Sequence, residues 1–557
     1  MRGETIAFQV ALESDASRPG EAHAILGAFD GSPLEVSLFA EDFIDVRRSS
    51  GNDRDPNEGL AFRIPAKPEP ALLGLYADAL LPGRDAVMWS ARRGAFWIDI
   101  EVPISATPGL RSSRLSVAGA GGVLAEVDVH LRIVDRVLPY AALPVMIYYE
   151  PEALKRRMGG LAAEPSLRAL FHAHHVSAIR PVLTERDLEG EIPYLTGEAF
   201  TSARGYAGPG EGRGEGIVAL GAYGDLGAPA ATKVPLVAKM SARIAKLGAS
   251  EASAGVEAFL YAVDEECKSP WPAEWKKLLA VNDETRSLRV GATCGEDPSA
   301  HAADIVMQVP EDLAPEKMRA ALGRGKQVWA YNGKRPFGGS SVIDVPATDL
   351  RANAWIAARY GIGRWFYWEA TSWTSYGGGK VGGDTDPFEV ADSFHNKDGD
   401  HSNGDGVLVY PGAQSAPGMR SLGASTVFPS VRLKNIRRGV QDVGYWLHAR
   451  ASAPLEADAI VARAVPVALS EAKRDAKPSW SDDARPWLDA RRSLLDLALR
   501  APADVQPRAF APEVQALEGA PEGSNGQRLR LRLAVLLAAA AWFAFGARAA
   551  KKRGVGR

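Results

Sequence analysis

The segment FLYAVDEE, residues 259–266, ends an apolar run in three consecutive carboxylates, Asp264, Glu265 and Glu266. Crowding like charges raises at least one carboxyl pKa, which is what a general acid working near neutral pH requires. The plain alternative is an acidic helix start, because PAEWKKLLA follows and carboxylates are stabilised at a helix N-terminus. A second concentration of chemistry-bearing groups is aromatic. VWAYNGKRP from Val328 and RWFYWEATSW from Arg364 bring together Trp329, Tyr331, Trp365, Tyr367, Trp368 and Trp373. Aromatic faces stack on the apolar faces of a sugar ring, while hydroxyl and indole groups add polar contacts. Alternation along a strand sends about half of such residues into a helix layer. Tyr331, Trp368 and Trp373 are the set expected at a binding mouth, with Tyr367 and Glu266 as further substrate contacts.

The elements that must position these groups follow from hydrophobic rhythm. Up to about Pro139, short alternating stretches are broken by Gly, Pro and Asp, among them VSLFAEDFIDV, GAFWIDIEVPI, SRLSVAG and LAEVDVHLRIVD. That spacing predicts an antiparallel β-sandwich over residues 1–140. After Pro144, apolar β runs alternate with helical stretches. Strands are expected at 145–149, 178–182, 218–221, 258–264, 290–294, 305–309, 327–332 and 364–369, with helices at 233–247, 272–281, 315–322 and 350–360. Eight β/α alternations in about this length match a (β/α)8 TIM-type barrel over 141–450. Reactive groups in such a barrel sit at the C-terminal strand ends, where Asp264 and Glu265 fall. Residues 377–412 read as a long Gly-rich loop, and the run from Ser430 as an amphipathic helix closing the barrel. A helical extension follows over 451–500 and a Pro/Ala/Glu-rich linker over 501–527.

Composition narrows the partners. The chain has 557 residues, and Lys+Arg 65 against Asp+Glu 68 create no global field that would recruit nucleic acid. Residues 528–557 carry an apolar run, 533–547, with arginines before it and Lys551, Lys552 and Arg553 after it. This reads as a single membrane segment with a basic tail, the catalytic domain lying outside the cytoplasm at the cell surface or in the periplasm. Gly3-Glu4-Thr5 enters a strand at once with no signal peptide, so the expected start lies further upstream. Cys267 and Cys294 follow the predicted fourth and fifth strands and could pair in an exported domain, although unpaired thiols are the default. His172, His174 and His175, and the loop from Asp398 to Asp405, have weak metal-binding spacing, and no metal or organic cofactor is expected.

A set of segments in fixed order carries a family resemblance: GETIAFQVAL, YADALLP, AFWIDIEVPISATPG, YAVDEE, YGIGRWFYWEATSW, GDGVLVYPG and SVRLKNIRRGVQD. With these the chain resembles the glycoside hydrolase family 123 catalytic domain, also described as DUF4091, from Gly3 to His448. The resemblance implies a β-sandwich followed by a (β/α)8 barrel, and a retaining exo-β-N-acetylgalactosaminidase that uses its substrate's acetamido group as nucleophile. Asp264 and Glu265 fall on the family's adjacent Asp-Glu pair. By that carry-over Glu265 protonates the glycosidic oxygen and later deprotonates water, while Asp264 orients the 2-acetamido group. Glu266, where many relatives continue into Pro, and Val443-Gly444 depart from the pattern and leave sugar preference open. The expected function is therefore removal of terminal β-linked N-acetylhexosamine from a glycan or glycoconjugate. The alternatives are a glycosidase of other specificity with a carboxylate nucleophile, and a non-catalytic carbohydrate-binding surface protein. Oligomeric state is left open.

Overall fold

The computed structural model describes residues 1–13, 20–31, 33–54, 73–82, 86–89, 93–247, 255–377, 380–415, 417–474, 476–502, 507 and 510. The apolar run at 533–547 lies outside them; among the described residues no helix is long and apolar enough to cross a membrane.

The N-terminal region contains β1 (Glu4–Glu13), β2 (Gly20–Leu26), β3 (Glu35–Val46), β4 (Gly51–Asn52), β5 (Gly74–Pro82), β6 (Ala86–Trp89), β7 (Arg93–Val102), β8 (Gly109–Gly119) and β9 (Gly122–Ile133). Two four-stranded antiparallel sheets form, in the orders β1-β7-β3-β5 and β6-β2-β8-β9. Phe96, Ile98 and Ile100 from the first and Ala24, Leu115 and Val117 from the second share one buried core, as a sandwich reading requires.

The eight expected barrel strands all form: β10 (Val145–Tyr148), β11 (Ser177–Ile179), β12 (Ile217–Leu220), β13 (Glu257–Val263), β14 (Arg289–Thr293), β15 (Ile305–Gln308), β16 (Gln327–Tyr331) and β17 (Trp365–Tyr367). They pair in parallel in the order β11-β10-β17-β16-β15-β14-β13-β12. A single parallel bridge between Val182 and Leu220 crosses the remaining gap, so the barrel is nearly closed. Alternation sorts the side chains. Met146, Tyr148, Phe259, Tyr261, Trp329, Tyr331 and Phe366 fill the interior, whereas Ile147, Val328, Ala330, Trp365 and Tyr367 belong to the core beneath the helices. Those helices are α1 (Pro151–Met158), α2 (Glu164–Ala173), α3 (Glu185–Leu195), α4 (Val234–Ala245), α5 (Trp271–Ala280), α6 (Pro315–Gly323) and α7 (Thr348–Tyr360).

Two regions differ from the sequence reading. The Gly-rich stretch is not one loop: it forms β18 (Thr374–Gly377), β19 (Lys380–Asp384), β20 (Asp392–His395), β21 (Asp400–Asn403) and β22 (Val409–Pro411), the last paired with β23 (Val427–Pro429). β4 adds to β21 as a third strand, and Asn403 donates through its backbone N to Ser50 Oγ at 2.9 Å. The partner strand comes from hundreds of residues upstream, which local periodicity cannot reveal. α8 (Val431–Ser452), capped by Ser430 accepting from Leu433 N, is buried nearly all round. Its polar face meets the N-terminal sheets rather than water. There Asp99 of β7 bonds Lys434 at 2.7 Å and Arg437 at 2.6 Å, and Asp78 of β5 accepts from Arg432 at 2.8 Å. Burial alone would raise the Asp99 pKa; the two cations instead hold it well below the carboxylate range. α9 (Pro454–Ala464) and α10 (Ala484–Ala498) complete the helical extension, and α8 packs against both α7 and α10.

Candidate active site

A cavity of about 700 Å3 opens at the C-terminal mouth of the barrel. Asp264, Glu265, Tyr331 and Trp368 line it, as do Tyr148, Glu150, Tyr223, Asn332, Glu369, Thr371, Lys397 and Asp405.

The acidic pair is positioned by a local irregularity. Pairing of β13 with β14 shifts register between Tyr261 and Val263, a bulge that re-aims the side chains beyond it. Thr293, at the end of β14 and 1% exposed, is the hub. Its Oγ1 donates to Asp264 Oδ1 at 2.5 Å and accepts the Glu265 backbone N–H at 2.9 Å. The Tyr261 hydroxyl also reaches Asp264 Oδ1, at 3.3 Å. Among the described residues no protein group bonds Asp264 Oδ2. Glu265 has φ 51°, a left-handed backbone rare outside glycine, held here by the Thr293 bond. Asp264 is half-buried, and burial raises its pKa against the opposing bonds from Thr293 and Tyr261. Glu265 is exposed to the cavity; desolvation first, then the Asp264 charge, raises its pKa, while Lys397 opposes. A loop Glu with a raised pKa facing a cavity is equipped for general acid work.

Cys267 and Cys294 are joined by a disulfide with Cα atoms 5.1 Å apart. It ties the segment just beyond Glu265 to the residue after Thr293, so the thiols are not free.

The aromatic wall is smaller than expected. Tyr331 and Trp368 face the cavity. The Trp368 indole N–H donates to Asp405 Oδ1 at 3.1 Å, and a Cβ at Gly406 would lie 2.7 Å from its ring, so the backbone there must lack a side chain. Tyr367 is not on the wall: alternation on β17 turns it into the helix layer, where its hydroxyl accepts from Asn353 Nδ2 at 3.0 Å. Trp373 is also off the cavity, fully buried, with its indole N–H donating to the Val409 carbonyl of β22 at 2.9 Å. Glu266 is exposed on the far side of the loop, in a shallow surface hollow with Cys267 and Trp271, because the turn at Glu265 reverses the side-chain direction.

Two carboxyl residues were missed although the strand-end rule points to them. Glu150 follows the apolar run of β10, and Glu369 follows that of β17. Glu369 Oε1 accepts from the backbone N–H of Ala370 at 2.8 Å, that of Thr371 at 2.6 Å, and Thr371 Oγ1 at 2.8 Å. Thr371 Oγ1 in turn accepts the Glu150 backbone N–H at 3.0 Å. The hairpin loop between β20 and β21 roofs the site with Asn396, Lys397 and Asp398. Its shape is set by Asn396 Oδ1 accepting from Asp398 N and Asp400 N, each at 2.9 Å, and by Asn52 donating to Asp400 at 2.8 Å.

Of the weak metal candidates, the loop from Asp398 to Asp405 borders the cavity, whereas the histidines lie elsewhere. His172 Nδ1 lies 2.8 Å from the Tyr206 hydroxyl and its Nε2 3.0 Å from the Arg213 carbonyl, beneath the barrel helices. Among the described residues, no group of three or more His, Cys, Asp or Glu is arranged to hold a metal ion.

A nearly closed parallel barrel with carboxylates and aromatic residues at its C-terminal mouth is an architecture of hydrolases acting on glycosides. Residues 271–446 match the family model described as glycoside hydrolase 123, catalytic domain. The matched stretch begins just after the acidic pair. The chain is also similar, at 11% identity and a TM-score of 0.58, to the solved structure of a family 123 glycoside hydrolase from Clostridium perfringens. That similarity covers 90% of this chain and 92% of the other, and it is one of fold. A family 39 glycoside hydrolase from Bacteroides cellulosilyticus WH2 gives a TM-score of 0.28 at 8% identity, over 67% of this chain and 78% of that one. No curated protein sequence matches the chain.

Proposed function

We propose that this glycoside hydrolase removes terminal β-linked N-acetylhexosamine, with N-acetylgalactosamine the preferred sugar, by substrate-assisted retaining catalysis. The observation carrying the reading is the adjacent Asp264–Glu265 pair on one bulged strand end, both facing the cavity. Glu265 delivers its proton to the glycosidic oxygen as the C1–O bond breaks. Asp264 Oδ2, left without a protein partner, accepts the 2-acetamido N–H and turns the acetamido oxygen toward C1. That oxygen bonds to C1 and forms a cyclic oxazolinium-like intermediate. Water then attacks C1, losing its proton to Glu265, and the C1–acetamido bond breaks. A positioned neighbouring amide replaces the carboxylate nucleophile of ordinary retaining enzymes through its high effective molarity.

Two neighbouring strand ends support this choice. Strand β16 ends in Tyr331 and Asn332 and offers no carboxylate. Glu369, whose Oε1 is saturated by three donors, is pushed up to about 8, chiefly by burial, and a neutral carboxyl is a poor nucleophile. The Clostridium perfringens relative hydrolyses glycolipid glycans, and a glycoconjugate displayed on a membrane is the natural substrate class proposed here. The disulfide supports placing the domain outside the cytoplasm, where such bonds persist. The proposed membrane tether is the 533–547 run.

The test is hydrolysis of aryl β-N-acetylgalactosaminide beside the matching β-N-acetylglucosaminide and β-galactoside. Turnover of the acetamido sugars, highest for the galacto form, is expected. Equal cleavage of the plain galactoside would overturn the substrate-assisted step.

A further inference from the structure

Glu369 has an unusual setting for a carboxyl at a barrel mouth. It is 6% exposed, and that remnant opens into the cavity. All three of its hydrogen bonds fall on Oε1. Among the described residues Oε2 has no protein partner, and no Lys, Arg or His lies within ion-pairing distance of either oxygen. A buried carboxylate without a cation is costly, and the group avoids that cost by keeping its proton. With Oε1 accepting three times, Oε2 is the oxygen left to carry a proton toward the cavity.

The surrounding donors make that proton useful. The hydroxyl of Tyr148 donates to Glu150 at 3.2 Å, that of Tyr223 to the Trp368 carbonyl at 2.6 Å, and the Trp368 indole to Asp405. Thr371 Oγ1 is spent on Glu369 itself. These donors are committed within the protein; Tyr331 and the Asn332 amide also line the cavity on the β16 side, while Asp264 and Glu265 present carboxyls. A sugar bound there needs a donor for its oxygen lone pairs.

We propose that Glu369 positions the bound sugar by donating a hydrogen bond from a carboxylic acid Oε2–H to a sugar oxygen beside the Asp264–Glu265 pair. The proposal rests on the glycosidase reading and deepens it. Burial, with the Glu150 charge adding to it and the Ala370 and Thr371 bonds opposing, raises Glu369 to about 8, so the proton is present at neutral pH. The charged and titratable groups lining the cavity with it are Tyr148 of β10, Glu150 at the start of α1, Tyr223 from the turn after β12, Asp264 and Glu265 beyond β13, Tyr331 of β16 with Lys334 after it, Glu311, and Asp398, Asp400 and Asp405 from the roof side. The cations Arg156 on α1 and Lys397 on the roof lie at the cavity rim. Burial holds Tyr148 and Tyr223 above the ordinary tyrosine value, so they stay neutral over the range tested. Ionisation of Asp264 improves acceptance of the acetamido N–H. A loss of affinity with rising pH therefore has the opposite sign and reports Glu369.

The experiment measures N-acetylgalactosamine binding by calorimetry from pH 6 to 9 in the full chain carrying Glu265→Gln, which removes the titration of the general acid, and in Glu265→Gln/Glu369→Gln. A glutamine can accept the same three bonds at Oε1 and donate from its amide. The expected result is an affinity loss of about fivefold or more between pH 7 and pH 9 in the first protein, as expected for a lost buried hydrogen bond, and a flat profile in the second. A flat profile in the Glu265→Gln protein, or the same decline in both, would overturn the role of Glu369. If the wild type meanwhile hydrolyses aryl N-acetylgalactosaminide, the glycosidase reading stands alone. Neither turnover nor sugar binding by folded wild type overturns both.

Discussion

Thr293 donates to Asp264 Oδ1 at 2.5 Å while its same oxygen accepts the Glu265 backbone N–H at 2.9 Å. One buried hydroxyl thus orients the carboxyl of one acidic residue and the backbone of the next. Thr293→Val keeps the shape and removes both bonds. Loss of a hydrogen bond to a charged group is worth about 1.5–3 kcal/mol. The expected outcome is a drop in kcat/KM of about tenfold to a hundredfold, with Thr293→Ser recovering most of it. Steady-state kinetics on aryl N-acetylgalactosaminide checks this, and an unchanged kcat/KM in the valine variant would refute it.

The same geometry separates the roles of the acidic pair. Glu265→Gln is expected to lower kcat by about a hundredfold or more, the scale of general acid catalysis, with KM little changed. A substrate whose leaving group needs no protonation, such as a dinitrophenyl glycoside, recovers the first step. Asp264→Asn is expected not to be rescued by that leaving group, because its proposed part is to orient the acetamido group. Rescue of both variants alike would contradict the division of labour.

The disulfide sits within three residues of both Asp264 and Glu265, the carboxyls proposed to be catalytic. Its sequence separation is 27, for which chain-entropy arguments give about 3–4 kcal/mol. Cys267→Ser/Cys294→Ser is expected to lose stability on that scale in denaturant melts and to lose activity first as the temperature rises. Equal stability with and without reductant in the wild type would argue against it.

Between the sheets and α8, buried Asp99 pairs with both Lys434 and Arg437. Asp99→Asn strands two cations away from water, with an expected cost of about 3–5 kcal/mol. Thermal unfolding provides the measurement, and a loss below 1 kcal/mol would show that water reaches these groups.

His172 is 1% exposed, and burial is the main cause pushing it down to about 3. Its unfolded value is about 6.5, so the folded state binds fewer protons between these limits. The stability gained by keeping it neutral is complete above the unfolded value and is lost as pH falls from about 6.5 toward 3. Each pH unit in that window costs about 1.4 kcal/mol for one such group. His172→Gln is expected to make the melting temperature less sensitive to acidification from pH 6.5 to 5. Parallel pH curves for variant and wild type would disprove it.

The barrel was legible because its strands are buried on both faces and are separated by helices with their own period. Apolar runs of four to seven residues bounded by Gly, Pro and charge could be read one after another, even the third, which lies in a stretch rich in Gly and Ala. Asp264 and Glu265 were legible for the same reason: charge at the end of an apolar strand marks the barrel mouth. Glu150 and Glu369 carried that signal too, more faintly, as single carboxyls beside aromatic residues. Residue type and spacing alone therefore determine the barrel, its mouth and the acidic pair. Tertiary structure decided the rest. Tyr367 and Trp373 look like wall residues until strand alternation and the β22 carbonyl of Val409 claim them. α8 looks amphipathic until the N-terminal sheets supply Asp99 and Asp78 for its cations. The roof over the site is braced by β4, from near residue 50, which pairs with β21. Contacts between residues hundreds of positions apart leave no local period in the chain, and those contacts determine which polar groups face the cavity and which are spent inside the protein.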